Sequence, residues 1–140
     1  MARNNRVDLT NMIMIYREDG SFLVQNRKKN DWPGINFPGG HIEDDEDILG
    51  SVIREAKEET GLTISHLEFC GYYEWNVPDK RIRYVTMLFR TSHYEGELKK
   101  SSEGDVFWLR EEDLVSYPLS TDFDKILILM KSGFTLDKIR

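Results

Sequence analysis

The chain has 140 residues, of which 39% are hydrophobic and 31% charged, with a net charge of −6 and a pI near 5.1. That length suits one domain able to bury a core without staples, and the composition is too apolar and too aromatic for a disordered chain. An acidic chain is a poor partner for nucleic acid polymers and for anionic membranes, so neither is expected; a small anionic ligand would need a positive mediator such as a metal ion.

Taken in chain order, Asn11–Asp19 and Ser21–Lys28 are apolar runs separated by a turn sequence, a pattern that predicts two strands joined as a hairpin. Asn30–Gly40 carries two prolines and three glycines and reads as loop. Leu49, Val52, Ile53 and Ala56 then recur at helical period, which predicts a helix from about Glu46 to Thr60. Asp44 or Asp45 is the expected N-cap and Gly61 the expected C′ residue.

Leu67–Val77 and Arg81–Ser92 are rich in aromatic and β-branched residues and flank a Pro-Asp-Lys turn, so a second hairpin is predicted. Ser92–Asp105 reads as a long polar loop, Val106–Leu109 as a short strand, and the stretch after it as one or two helical turns. A final helix over Asp122–Phe134 would be capped by Asp122 and closed by Gly133. Interleaved strands and helices with hairpins imply a mixed sheet.

Cys70 is the sole cysteine, which excludes an intrachain disulfide and a cysteine-based zinc site and fits a reducing cytoplasm. The first eleven residues lack an apolar stretch of signal-peptide length, and Ile126–Met130 is too short to span a bilayer. A cytoplasmic protein is the expectation. The three histidines form no HExxH pair, no G-x4-GK[ST] loop is present, and an EF-hand started at Asp45 would put Ala56 where a glutamate is required.

The feature that calls for chemistry is the acidic end of the first helix. Glu55, Glu58 and Glu59 fall within an arc of about 100° at 3.6 residues per turn. Like charges at this spacing repel, and the C-terminal end of a helix already carries partial negative charge. A hard divalent cation such as Mg²⁺ or Mn²⁺ would reverse the sign of both effects and leave positions for water and phosphate.

The surrounding register, Gly40-x5-Glu46-x7-Arg54-Glu55-Ala56-x-Glu58-Glu59-x-Gly61-Leu62, resembles the Nudix hydrolase signature G-x5-E-x7-R-E-U-x-E-E-x-G-U, with Ala56 at an apolar position. The loop before it, Trp32–Glu43, resembles the approach loop of MutT-type members, often described as 8-oxo-dGTP diphosphatases. The resemblance implies a single domain over residues 1–140 with the Nudix box at 40–62, and an α/β/α sandwich with a mixed sheet. It implies hydrolysis of a nucleoside diphosphate linked to another moiety, assisted by Mg²⁺ with Mn²⁺ as the alternative. Glu55, Glu58, Glu59 and the carbonyl of Gly40 would hold the metal, while Glu46 and Arg54 hold each other behind them. Glu55 and Glu103 are both candidates for the general base.

Substrate contacts are expected from Arg27 by resemblance. Phe37, Trp75 and the neighbouring Trp32 and Tyr73 are candidates for base stacking, Arg83 and Arg81 for phosphate contact, and Asp122 for reading a purine edge. Three functions stay open at this point. The first is a nucleoside triphosphate pyrophosphohydrolase of the 8-oxo-dGTP type, releasing a nucleoside monophosphate and pyrophosphate. The second is a pyrophosphatase of ADP-ribose or a dinucleoside polyphosphate, and the third a non-catalytic nucleotide sensor. All three imply a small-molecule nucleotide partner, and both monomer and homodimer remain open.

Overall fold

The structure is a computed structural model that describes residues 6–27, 32–99 and 104–132. Its centre is a four-stranded mixed sheet. Strand β1 (Arg6–Ile15) lies between β4 (Gly39–His41), antiparallel to it, and β7 (Ile82–Thr91), parallel to it, and β6 (Glu68–Val77) closes the edge against β7. A three-stranded antiparallel sheet is built from β3 (Gly34–Asn36), β2 (Phe22–Arg27) and β9 (Gly104–Leu109). A short ribbon pairs β5 (Thr63–Ser65) with β8 (His93–Glu95). Helix α1 (Ile48–Thr60) packs on β1, β4 and β5, and α2 (Phe123–Ser132) packs on β6 and β7. This mixed α+β arrangement is the one expected.

Two cores flank the strands. Met12 and Met14 of β1 join Phe22, Val24, Phe37, Phe123, Ile126 and Met130 on the α2 side. Ile13 and Ile15 of the same strand join Leu23, Val52, Ala56, Leu62 and Phe89 on the α1 side. Because successive side chains of a strand point to opposite faces, a strand buried on both faces must be apolar throughout. That accounts for the unbroken run Met12–Ile15.

Burial on both faces also corrects the first predicted hairpin. The turn forms: Asp19 accepts from the Ser21 amide at 2.9 Å, and Gly20 adopts φ +87. The strands on either side then diverge into different sheets, and their backbones meet at a Tyr16–Phe22 bridge and an Arg17 to Ser21 hydrogen bond. Each is an interior strand that finds its ladder elsewhere. The predicted loop Asn30–Gly40 likewise contains β3 and β4, whose glycines are needed for close approach. A Cβ on Gly39 would lie 2.0 Å from the Asn11 carbonyl oxygen.

Helix α1 starts later than predicted. Its N-cap is Asp47, whose side chain accepts from the Gly50 amide at 2.6 Å, and not Asp44 or Asp45. Gly61 ends it in the left-handed region at φ 86, as expected. The buried face is rotated from the predicted stripe. Leu49 and Ile53 are 51% and 38% exposed, while Ser51, Val52, Glu55, Ala56 and Thr60 are buried. Two of those polar groups are satisfied locally, Ser51 Oγ by the Ile48 carbonyl and Thr60 Oγ1 by the Ala56 carbonyl. Asn11 also donates to Ser51 Oγ at 2.9 Å, tying the helix to β1.

The second hairpin, β6 and β7, forms as predicted around a 3₁₀ turn at Pro78–Lys80. The polar stretch Ser92–Asp105 supplies β8, and the short strand is longer than predicted, running Gly104–Leu109. In α2 the Asp122 carbonyl accepts the Ile126 amide, but the Asp122 side chain turns away to Tyr73. Gly133 lies outside the described residues.

Candidate active site

A cleft of about 740 Å³ opens on the α2-facing side of the central sheet. Thr10, Met12, Tyr84 and Thr86 form its floor, Arg27, Trp32, Asn36 and Trp75 its sides, and Gly40, Glu55 and Glu59 its acidic end. The strand register explains why these groups meet. Asn11 of β1 faces both Gly40 of β4 and Met87 of β7, so the first two residues of the acidic box are fixed against the sheet before α1 begins.

Glu55 is only 9% exposed and lies against Gly40, where a Cβ would come within 2.5 Å of its carboxylate. Only glycine leaves room for that contact. Burial lifts the Glu55 carboxyl to about 6; the Arg54 guanidinium opposes the rise, and the charges of Glu59 and Glu58 add to it. Arg54 is the organising cation. It grips Glu46 through both carboxylate oxygens, at 2.8 and 2.6 Å, and reaches Glu55 at 3.0 Å, Glu58 at 3.1 Å and the His41 carbonyl at 3.1 Å. The Arg54 contact holds the Glu46 carboxyl down at about 2. A planar fork with five donors is the side chain that can bridge so many acceptors. Glu59 accepts from the buried Gln25 amide at 2.8 Å.

The expected site residues separate into groups. Gly40, Glu55 and Glu59 share the cleft, with Glu46 and Arg54 bracing it from behind. The Glu58 side chain is 59% exposed, bonded to Arg54, and outside the cleft lining. Among the described residues no three His, Cys, Asp or Glu side chains are gathered in metal-holding geometry. Glu103 lies outside the described residues. Arg27, Trp32 and Trp75 line the cleft, whereas Phe37 borders it with a ring 2% exposed and stacked on Phe123 at 4.7 Å, so it serves as core. Arg83 points to the opposite face, paired with Glu74 at 3.0 Å, and Asp122 accepts from the Tyr73 hydroxyl at 2.9 Å away from the cleft. Strand alternation separates Arg83 from its neighbours Tyr84 and Thr86, and hydrogen bonding within the fold occupies Asp122.

Three contributors were missed from sequence. Gln25 steadies Glu59, and Thr10 and Thr86 share a 2.7 Å hydroxyl contact on the cleft floor. A polar residue inside an otherwise buried strand was the available signal for Gln25. The threonine pair depends on a parallel register that no local pattern reveals.

The model of the NUDIX domain matches residues 8–129. This chain belongs to the Nudix family. The Nudix chain is 28% identical over 129 residues to the uncharacterized Nudix hydrolase YvcI of Bacillus subtilis, an alignment covering 89% of this chain and 79% of that one. It is 33% identical over 118 residues to the ADP-ribose pyrophosphatase of Methanocaldococcus jannaschii, covering 81% and 67%. In fold it is similar to the MutT NUDIX hydrolase from Burkholderia pseudomallei, with a TM-score of 0.79, 19% identity, and coverage of 89% and 98%. The family's hydrolases generally use divalent metals, and the family and its named members make this chain an enzyme of the nucleotide diphosphatase kind. No helix among the described residues is long and apolar enough to cross a membrane.

Proposed function

We propose that the enzyme hydrolyses a nucleoside diphosphate linked to a further group, and that its leading substrates are nucleoside triphosphates of oxidised purines such as 8-oxo-dGTP. It would release a nucleoside monophosphate and pyrophosphate. The observation that carries the reading is a single cleft with Gly40, Glu55 and Glu59 at one end and the Trp32–Trp75 pair on its side. One end suits phosphates bridged by metal, and the aromatic side suits a base.

The donor set fits a hard divalent cation. It is all oxygen, and the glycine backbone at Gly40 leaves the Glu55 carboxylate unobstructed. Glu55, Glu58, Glu59 and the Gly40 carbonyl would hold Mg²⁺ or Mn²⁺. Such an ion, when bound, offsets phosphate charge and lowers the pKa of its water. The protein's own part is positioning. Arg54 fixes Glu55 while Glu46 fixes Arg54. Glu55, held against Gly40 and braced by Arg54, is one candidate to accept a proton from an attacking water. Glu103 is the other candidate base, and the pH profile of Glu103→Gln tests it: an unchanged rate across pH removes Glu103 from the role.

ADP-ribose is the second reading, supported by the 33% identity to the archaeal ADP-ribose pyrophosphatase. Incubation with Mg²⁺ and a nucleotide panel distinguishes them. Pyrophosphate from dGTP analogues supports the first, and AMP from ADP-ribose the second. Tight binding without turnover of any substrate would overturn both and leave a sensor. A cytoplasmic setting goes with either reading.

A further inference from the structure

The β6–β7 hairpin holds two groups that the proposed chemistry does not use. Lys80 lines the cleft from the hairpin turn and, among the described residues, makes no ion pair. On the same hairpin Arg83 is paired with Glu74 and Arg90 with Glu68, whereas Lys80 and Arg81 carry no ion pair among the described residues, and of those two only Lys80 lines the cleft. The second group is the Trp75 indole. Its Nε1 is buried and has no hydrogen-bond partner, although the ring lines the cleft and meets Trp32 edge-on at 5.2 Å. Buried donors without acceptors are rare in native proteins.

The hairpin tip is also held in place. Pro78 opens the turn, the Arg81 amide closes it onto the Pro78 carbonyl at 3.0 Å, and the Arg6 amide of β1 bonds to the Arg81 carbonyl at 3.0 Å. Its position along the cleft follows from the register. Arg6 pairs with Ile82, and Asn11 with both Met87 and Gly40. Five residues of strand therefore separate the tip from the acidic end, about 17 Å at ~3.3 Å per residue. Trp75, opposite Tyr84, falls between them.

We propose that this wall is a second anion subsite. Lys80 receives a phosphate, or a group of the same acceptor-rich chemistry, carried on the end of the substrate remote from the scissile diphosphate, and the Trp75 N–H donates to the part of the substrate in between. The enzyme then favours nucleotides that are anionic at both ends. This rests on the reading of the cleft as a nucleotide site.

The test is binding to the full chain with Mg²⁺, read by calorimetry and by quenching of tryptophan fluorescence. AMP is compared with adenosine 2′,5′- and 3′,5′-bisphosphate, which place the extra phosphate on the nucleoside half. ADP-ribose is compared with ADP-ribose 1″-phosphate, which places it on the other half. At least one phosphorylated ligand should bind about tenfold tighter than its match, as a charge-assisted contact predicts. Lys80→Met should abolish that gain without weakening the unphosphorylated match, and Lys80→Arg should keep it. Trp75→Phe should weaken matched ligands several-fold alike and leave their ratio intact. No gain in either pair, or a gain that survives in Lys80→Met, overturns the subsite; unaltered affinities in Trp75→Phe overturn the indole's share. Failure of the nucleotide reading looks different, since no nucleotide of the panel, dGTP analogues included, would then show saturable binding or hydrolysis.

Discussion

The two helices are buried by opposite means. Helix α2 sinks Phe123, Ile126, Leu127 and Met130 into the core on its side of the sheet. Helix α1 buries only two small apolar side chains, Val52 and Ala56, beside Ser51, Glu55 and Thr60. Burial of apolar area is the main driving term in folding, so α2 is held by packing. Helix α1 is held by its ends and its hydrogen bonds: Asp47 at the start, Gly61 at the finish, Asn11 to Ser51 across to the strand, and Arg54 to Glu46 across to the preceding loop. A helix fixed this way can carry a partly buried carboxylate that a purely apolar face would exclude.

The contrast can be broken most sharply at Glu59. Glu59→Gln should lower turnover by about two or more orders of magnitude with an unchanged circular dichroism spectrum, since it removes a cleft carboxylate and no apolar contact. Near-normal turnover would remove Glu59 from the catalytic set. Met130→Ala is the complementary change. Truncating a side chain with 0% exposure should cost about 2–5 kcal/mol in denaturant unfolding, with KM retained wherever the protein is folded. A shifted KM would show that α2 does more than pack.

Arg54→Met strips the brace from Glu46, Glu55 and Glu58 together. Turnover should fall about 10- to 100-fold, as for other residues that orient ligands from behind, and a full rate in steady-state assay would refute the bracing role. The smallest effect is the most diagnostic of α1. The Glu55 carboxyl is raised to about 6 from an ordinary 4.5. A raised folded pKa means that the folded state holds the proton more tightly. Stability from this group is therefore full below about pH 4.5 and is lost as pH climbs through 6. Without metal, Glu55→Gln should be more stable than wild type by about 1–2 kcal/mol at pH 7.5 and equal to it near pH 4. A difference independent of pH in thermal unfolding would rule out this linkage.

Much of this was visible in the residues, and the exceptions share a cause. The acidic box, Gly61 and the β6–β7 hairpin depend on neighbours in sequence, and local rules found them. Asp47 displaced Asp44 and Asp45 because three candidate caps lie within four residues and only the geometry of the loop selects among them. Leu49 and Ile53 misled because their period was helical but the sheet met the helix one step round, where Ser51 and Thr60 could satisfy themselves. Arg83 and Asp122 were chosen for their chemistry, and strand parity and the Tyr73 hydroxyl directed them elsewhere. Pairings between distant segments, such as Gln25 with Glu59 and Thr10 with Thr86, leave no periodic trace.

The parallel ladder between β1 and β7 carries a consequence for how the chain is made. Thr10 meets Thr86, 76 positions later. During synthesis the first strand therefore emerges long before the neighbour that completes it, and its apolar second half stays without a permanent seat until Thr91 has left the ribosome. Contacts of such long span slow folding, so the central sheet closes only after most of the polypeptide has been produced.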